Sequence, residues 1–150
     1  MLEISCCDLS IESVNETKIK GFDSFQVDLN DYFVDKINKK FDLVLASGIF
    51  EHLQFSKFFM DQITQIAKKY LLIQVTNHFY WSYRLNFLLN KPPKFFVGSR
   101  GHSSFFNLNH IKKLLLDDGF TIIELKSTNF LEKFFPSLFS RAFTILAERI

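Results

Sequence analysis

Cysteine is scarce: two residues in 150, and they are neighbours, Cys6 and Cys7. Adjacent side chains of a strand point to opposite faces, so the two are expected neither to bridge each other nor to share a metal ion. They read as small buried hydrophobes in a reducing, cytoplasmic setting, and no metal-ligating set is expected. A disulfide scaffold is thereby excluded. Long apolar runs are lacking as well: nothing approaches the roughly 18 residues of a membrane helix. The beginning of the chain carries Glu3 and Asp8 rather than the basic and apolar regions of a signal peptide. An excess of one charge is missing too, since 18 basic and 16 acidic residues are interspersed to a net +2, so no nucleic-acid footprint stands out. Three prolines and five glycines are few, and Pro92, Pro93, Gly98 and Gly101 concentrate in residues 91–104, the one long loop. No two glycines form a Gly-x-Gly turn.

What the chain has is phenylalanine, 20 of 150 residues, within an apolar content of 47% that suffices for the core of one domain over residues 1–150. Residues 2–8 read as a strand, and Ser10 as the cap of a helix reaching about Lys20, with Ile11, Val14 and Ile19 near one face and Gly21 as the stop. The pattern repeats. Residues 22–27 form a second strand, and Asn30 opens a short helix through Phe33, Val34 and Ile37. The run "FDLVLAS" from Phe41 reads as a strand buried on both faces and closed by Gly48. A helix follows on Phe55, Phe59, Ile63, Ile66 and Ala67, with Lys68 and Lys69 at its negative end. Residues 70–75 are the next buried strand, and residues 79–89 a helical aromatic segment stopped by Pro92. Asn107 caps a helix with Leu108, Ile111, Leu114 and Leu115 inward and Gly119 at its end. Residues 120–125 and 142–148 close as an antiparallel pair, joined by a connection without a helical stripe. Strand and helix alternate, which predicts an α/β, Rossmann-like, mostly parallel sheet with helices on both faces and an antiparallel C-terminal edge.

In open parallel sheets ligands bind beyond the carboxyl ends of the strands, where loops diverge and helix N-termini point at the crevice. Asp8, Asp28, Ser47, Gly48 and Asn77 stand at those ends. A carboxylate there suits the hydroxyls of a ribose, and one at the next strand suits the exocyclic amine of adenine. Each acid alone also reads as a cap or turn former. His52 and His102 read equally as solvated or hydrogen-bonded side chains.

The strings "CCDLS", "FQVDLND", "FDLVLASGIFEHL", "KKYLLIQVTN" and "GHSSFFNLNHIKKLLLDDGF" resemble, in order and spacing, the later motifs of class I S-adenosylmethionine-dependent methyltransferases. Through "TNHFYWSYRLNFLL" the chain is most similar to methionine biosynthesis W proteins and methyltransferase type 11 domains. The resemblance implies S-adenosylmethionine as cofactor, with Asp8 as ribose acid, Asp28 and Leu29 at the adenine, and Ser47 and Gly48 beside the methionine moiety. It implies His52, Asn77, Trp81, Arg84 and His102 near the substrate. Thr76 stands where the family has proline. The family's first strand and its glycine-rich turn have no counterpart ahead of "LEISCCDLS", so the domain is expected to lack its first strand, as a fragment or an N-terminally shortened form.

The implied activity is methyl transfer to a small-molecule or other acceptor that the motifs do not name. No side chain is assigned as catalytic, and this exact chain is expected to hold the cofactor poorly. The alternative is a non-catalytic methyltransferase-like module that binds a protein partner in methionine biosynthesis, such as a homoserine acyltransferase, through residues 79–96. A nicotinamide-binding domain would need the same glycine turn and leaves "HSSFFNLNHIKKLLLDDGF" unexplained. Membrane-surface attachment through the aromatic stretch, flanked by Lys91, Lys94 and Arg100, is a further alternative.

Overall fold

The computed structural model describes residues 3–93, 102–126 and 130–150. Expectations that fall on residues 1–2, on Lys94, Phe95, Phe96, Gly98, Arg100 and Gly101 of the long loop, and on residues 127–129 lie outside this range.

Strand β1 (Ser5–Asp8) leads to helix α1 (Ile11–Ile19) and strand β2 (Asp23–Gln26). Ser10 caps α1 as its residue type dictates, its Oγ accepting the Ser13 N–H at 3.3 Å. β1 and β2 pair in parallel, Ser5 with Asp23 through Asp8 with Gln26. α1 covers this pair with Val14 alone; Ile11 and Ile19 are exposed. Cys6 and Cys7 are exposed as well, against the expectation of burial, because β1 has a neighbour on only one side.

Asn30 does not open the next helix. Its Oδ1 accepts the Gln54 N–H at 2.9 Å, while the Phe33 N–H is taken by Gln62 Oε1 at 2.7 Å, and α2 (Val34–Ile37) begins after it. Strand β3 (Phe41–Ser47), a 3-10 turn (Phe50–His52), helix α3 (Ser56–Ile66) and strand β4 (Ala67–Thr76) follow. α3 passes into β4 without a loop, so Ala67, Lys68 and Lys69 belong to the strand rather than to the helix end. The two lysines face Asp42 and Glu148 at 3.4 and 3.5 Å. Helix α4 (Trp81–Leu88) follows. After it come α5 (Leu108–Asp117), capped by Asn107 Oδ1 on the His110 N–H at 2.8 Å, and β5 (Phe120–Lys126). Two short helices, α6 (Phe130–Phe134) and α7 (Pro136–Phe139), occupy the connection in which the sequence shows no helical stripe. Neither buries a residue, which is why no stripe announces them.

β6 (Ala142–Arg149) runs antiparallel to both its neighbours in a four-stranded sheet of order β3-β4-β6-β5, where β3 and β4 are parallel. The mixed α/β architecture agrees with expectation, but the described strands make two sheets. Register carries one row, Ala46–Ile73–Ile145–Leu125, across all four strands on the core side. α2, α3 and α5 add Ile37, Phe59, Met60, Ile63, Ile66, Ile111 and Leu115 to that core. The neighbouring row of β3 is bare: Leu45 is 61% and Leu43 48% exposed. β3 is thus not buried on both faces, because it is an edge strand. Among the described residues no helix is long and apolar enough to cross a membrane.

Candidate functional site

Each residue expected at the cofactor lies at the carboxyl end of a parallel strand. Asp8 ends β1, and its Oδ1 accepts the Ser10 N–H at 2.8 Å. Asp28 follows β2, and its Oδ1 accepts the Asn30 N–H at 2.9 Å. Both acids therefore form the side-chain turns that their residue type favours after a strand. In each, Oδ2 makes no hydrogen bond among the described residues and remains available to a ligand. The Val27 N–H donates to the Asp8 carbonyl at 3.0 Å, which ties the two strand ends together. Leu29 packs partly buried against the main core.

Ser47 and Gly48 end β3. Ser47 Oγ donates to Gln74 Oε1 at 2.6 Å, and the Gly48 N–H donates to the Gln74 carbonyl at 2.9 Å. Gly48 has φ +62° with no atom within 4 Å of where a Cβ would stand, so glycine is favoured there by backbone conformation and not by crowding. The Asn30–Gln54 bond links the turn after β2 to the loop after β3.

A second group forms where the 3-10 turn, the end of β4 and residues 102–106 converge. The carbonyl of Glu51 accepts the N–H groups of Ser103 and Ser104 at 2.8 and 3.3 Å, and Ser104 Oγ donates to the Leu53 carbonyl at 2.9 Å. His78 and Phe106 bond reciprocally: the His78 N–H donates to the Phe106 carbonyl, and the Phe106 N–H donates to His78 Nδ1, both at 3.1 Å. This stitching holds His102 against His78, with Nδ1 of the former 3.0 Å from Nε2 of the latter. His52 and His102 meet edge to face at 5.1 Å. Glu51 is 5% exposed; its Oε1 accepts the Thr76 hydroxyl at 2.8 Å, and its Oε2 is buried with no hydrogen-bond partner among the described residues. Burial pushes the His78 imidazole down to about 4, with His102 beside it acting in the same direction.

One carboxylate oxygen of Glu51 and one ring nitrogen each of His52 and His102 lie within 4.8 Å of one another, an arrangement that can hold a cation. Sequence reading picked out His52 and His102 but missed Glu51 and His78, and it expected no ligand set. The signal was the adjacent pair Glu51–His52 directly after a strand; its partner His102 stands 50 positions away, and only the fold brings it back.

Three further residues expected near the substrate have local partners of their own. Asn77 is wholly buried, and its amide is consumed by the carbonyls of Ser137 and Ser140 at 3.0 and 2.7 Å and by the Phe79 N–H at 3.0 Å. It clamps the connection before β6 onto the end of β4. Trp81 is exposed at the start of α4 and leans on Tyr80, with ring centroids 5.9 Å apart. Arg84 turns its Nε back onto the Phe79 carbonyl at 2.6 Å. A hollow of about 610 Å³, lined by Val34, Lys40, Ala67 and Arg149 among others, lies near the opposite end of β4 and contains none of these residues.

No family model matches the sequence, and no curated protein matches it. Solved structures do match. Magnesium protoporphyrin IX methyltransferase from Synechocystis PCC 6803, crystallised with bound S-adenosylhomocysteine, superposes with a TM-score of 0.69 at 18% identity, over 99% of this chain and 64% of that one. An S-adenosylmethionine-dependent methyltransferase from Clostridium acetobutylicum gives 0.66 at 14% identity, over 99% and 75%. One from Archaeoglobus fulgidus gives 0.63 at 16%, over 97% and 75%. The chain spans about two thirds of the length of the Synechocystis enzyme. Over its whole described length, this chain has the fold of the S-adenosylmethionine-dependent methyltransferases.

Proposed function

We propose that this chain is the larger part of an S-adenosylmethionine-dependent methyltransferase that acts on an acceptor bound near the Glu51–His52–His102 cluster. The observation that carries the reading is the pair of acids at the ends of adjacent parallel strands, in a chain that superposes throughout on an enzyme crystallised with S-adenosylhomocysteine. Asp8 Oδ2 would accept from the ribose hydroxyls and Asp28 would meet the adenine amine, with Leu29 against the base. Gly48 would leave room beside the methionine moiety. Bound there, the cofactor supplies an electrophilic methyl group on sulfur. The residues of the chain contribute position and orientation, which in a direct transfer account for most of the acceleration.

The division of the described strands into two sheets belongs to the same reading. Among the described residues β1 and β3 each lack a partner on one side, and in the family this chain resembles the first strand lies at the sheet centre with its glycine-rich turn against the cofactor. A form carrying such a parallel strand ahead of Ser5 is therefore the cofactor-binding form. Titration calorimetry with S-adenosylhomocysteine should show binding to that form, weakened at least about tenfold by Asp8→Ala, the loss of roughly 1.4 kcal/mol expected when a charge-assisted hydrogen bond goes. Absence of heat from the extended form would sink the proposal.

A further inference from the structure

We propose that Glu51, His52 and His102 form a binding site for a divalent transition-metal ion of the zinc class. Two imidazoles and one carboxylate are a donor set that such ions take with positions left open. The three donor atoms already lie within 4.8 Å of one another, and a tetrahedral ion with bonds of about 2.0–2.1 Å asks for separations of about 3.3 Å. The closing movement falls on His52, the most exposed of the three, while Glu51 stays anchored by Thr76.

The second observation is independent of that spacing. Glu51 is almost wholly buried, and its Oε2 has no hydrogen-bond partner among the described residues. An ionised carboxylate in that state is costly unless it meets a cation or a proton. Burial grades from Glu51 through half-buried His102 to exposed His52, so the donors open toward solvent and an ion has a way in.

The histidine pair records occupancy. Because the Phe106 N–H donates to His78 Nδ1, the proton of neutral His78 lies on Nε2 and points at His102 Nδ1. An ion on His102 Nε2 leaves that ring's proton on Nδ1, facing the His78 donor; an ion on Nδ1 replaces the donor outright. Either way the 3.0 Å contact yields, and metal uptake must register at the buried His78 ring.

The test needs no methyl transfer, so its outcome is separate from that of the proposed function. Chelator-treated chain is titrated with Zn²⁺ by calorimetry and with Co²⁺ by visible absorption, and ring-nitrogen NMR signals of the histidines are followed. Expected are uptake of one ion per chain, a Co²⁺ spectrum of low coordination number, and movement of the His78 signals. Affinity should fall at least about tenfold in His52→Ala and in Glu51→Gln, and stay unchanged in His110→Ala, an exposed histidine outside the cluster. Should Glu51→Gln fail to fold, His52→Ala decides alone, because that side chain lies at the surface. Equal affinity of wild type and His52→Ala, or no uptake by wild type, overturns the proposal.

Discussion

Two blocks of this molecule share one chain and differ in how they are held. The four-stranded block has a strand neighbour on both sides of β4 and β6, with Leu71, Ile73, Val75, Phe143, Ile145 and Ala147 buried on them. The β1–α1–β2 block has a two-stranded sheet; none of β1 is buried, and Val14 is the one buried apolar residue of α1. A two-stranded pair is marginal by itself, because backbone pairing without a packed face does not offset the entropy of ordering it. Here the smaller block leans on the larger through Val27, which belongs to the main core, and through Lys39, whose ammonium reaches Asp23 and Glu3 at 2.6 and 3.4 Å. Ion pairs as exposed as these contribute little. Half of the proposed cofactor ligands therefore sit on the weaker block.

Truncating the core gives the largest contrast. Ile145→Ala should cost about 2–5 kcal/mol in urea unfolding, since a residue touched on all sides leaves a cavity, whereas Val14→Ala should cost about 1 kcal/mol. Equal losses would mean that the two blocks share one core after all. A smaller, pH-dependent effect should mark the carboxyl edge of the larger block. His78 has its folded pKa lowered from 6.5 to about 4, so the unfolded chain binds the proton more readily. The stability this neutral ring contributes is complete above pH 6.5 and is lost progressively as pH falls from 6.5 toward 4. The urea midpoint should drop over that window, and His78→Asn should flatten the drop; a midpoint that rises on acidification would contradict the assignment.

Much of this was legible in the sequence where pattern and packing agree. Ser10, Asn107 and Gly119 cap or stop helices as their residue types imply, and Leu108, Ile111, Leu114 and Leu115 are buried at their helical spacing. Legibility ended where a neighbour decided the matter. "FDLVLAS" has the composition of a strand buried on both faces, yet Leu43 and Leu45 are exposed, and among the described residues no strand lies beyond β3. Cys6 and Cys7 are exposed for the same reason on β1. Asn77 stands at a strand end, and the partners its buried amide needs, the carbonyls of Ser137 and Ser140, lie some 60 positions away in the sequence. Glu51 and His78 became visible only when residues 102–106 were seen stitched over them.

The proposed function makes the two blocks halves of one sheet, which a parallel strand between β1 and β3 would join. Amide hydrogen exchange tests it most directly, read strand by strand in the present chain and in the form extended by a glycine-rich strand and turn. The account predicts fast exchange in β1 and slow exchange in the centres of β4 and β6 in the present chain. In the extended form, new protection should appear in β1 and β3 together, while β5, at the far edge, is unchanged. Protection that stays the same in β1 and β3 would contradict it.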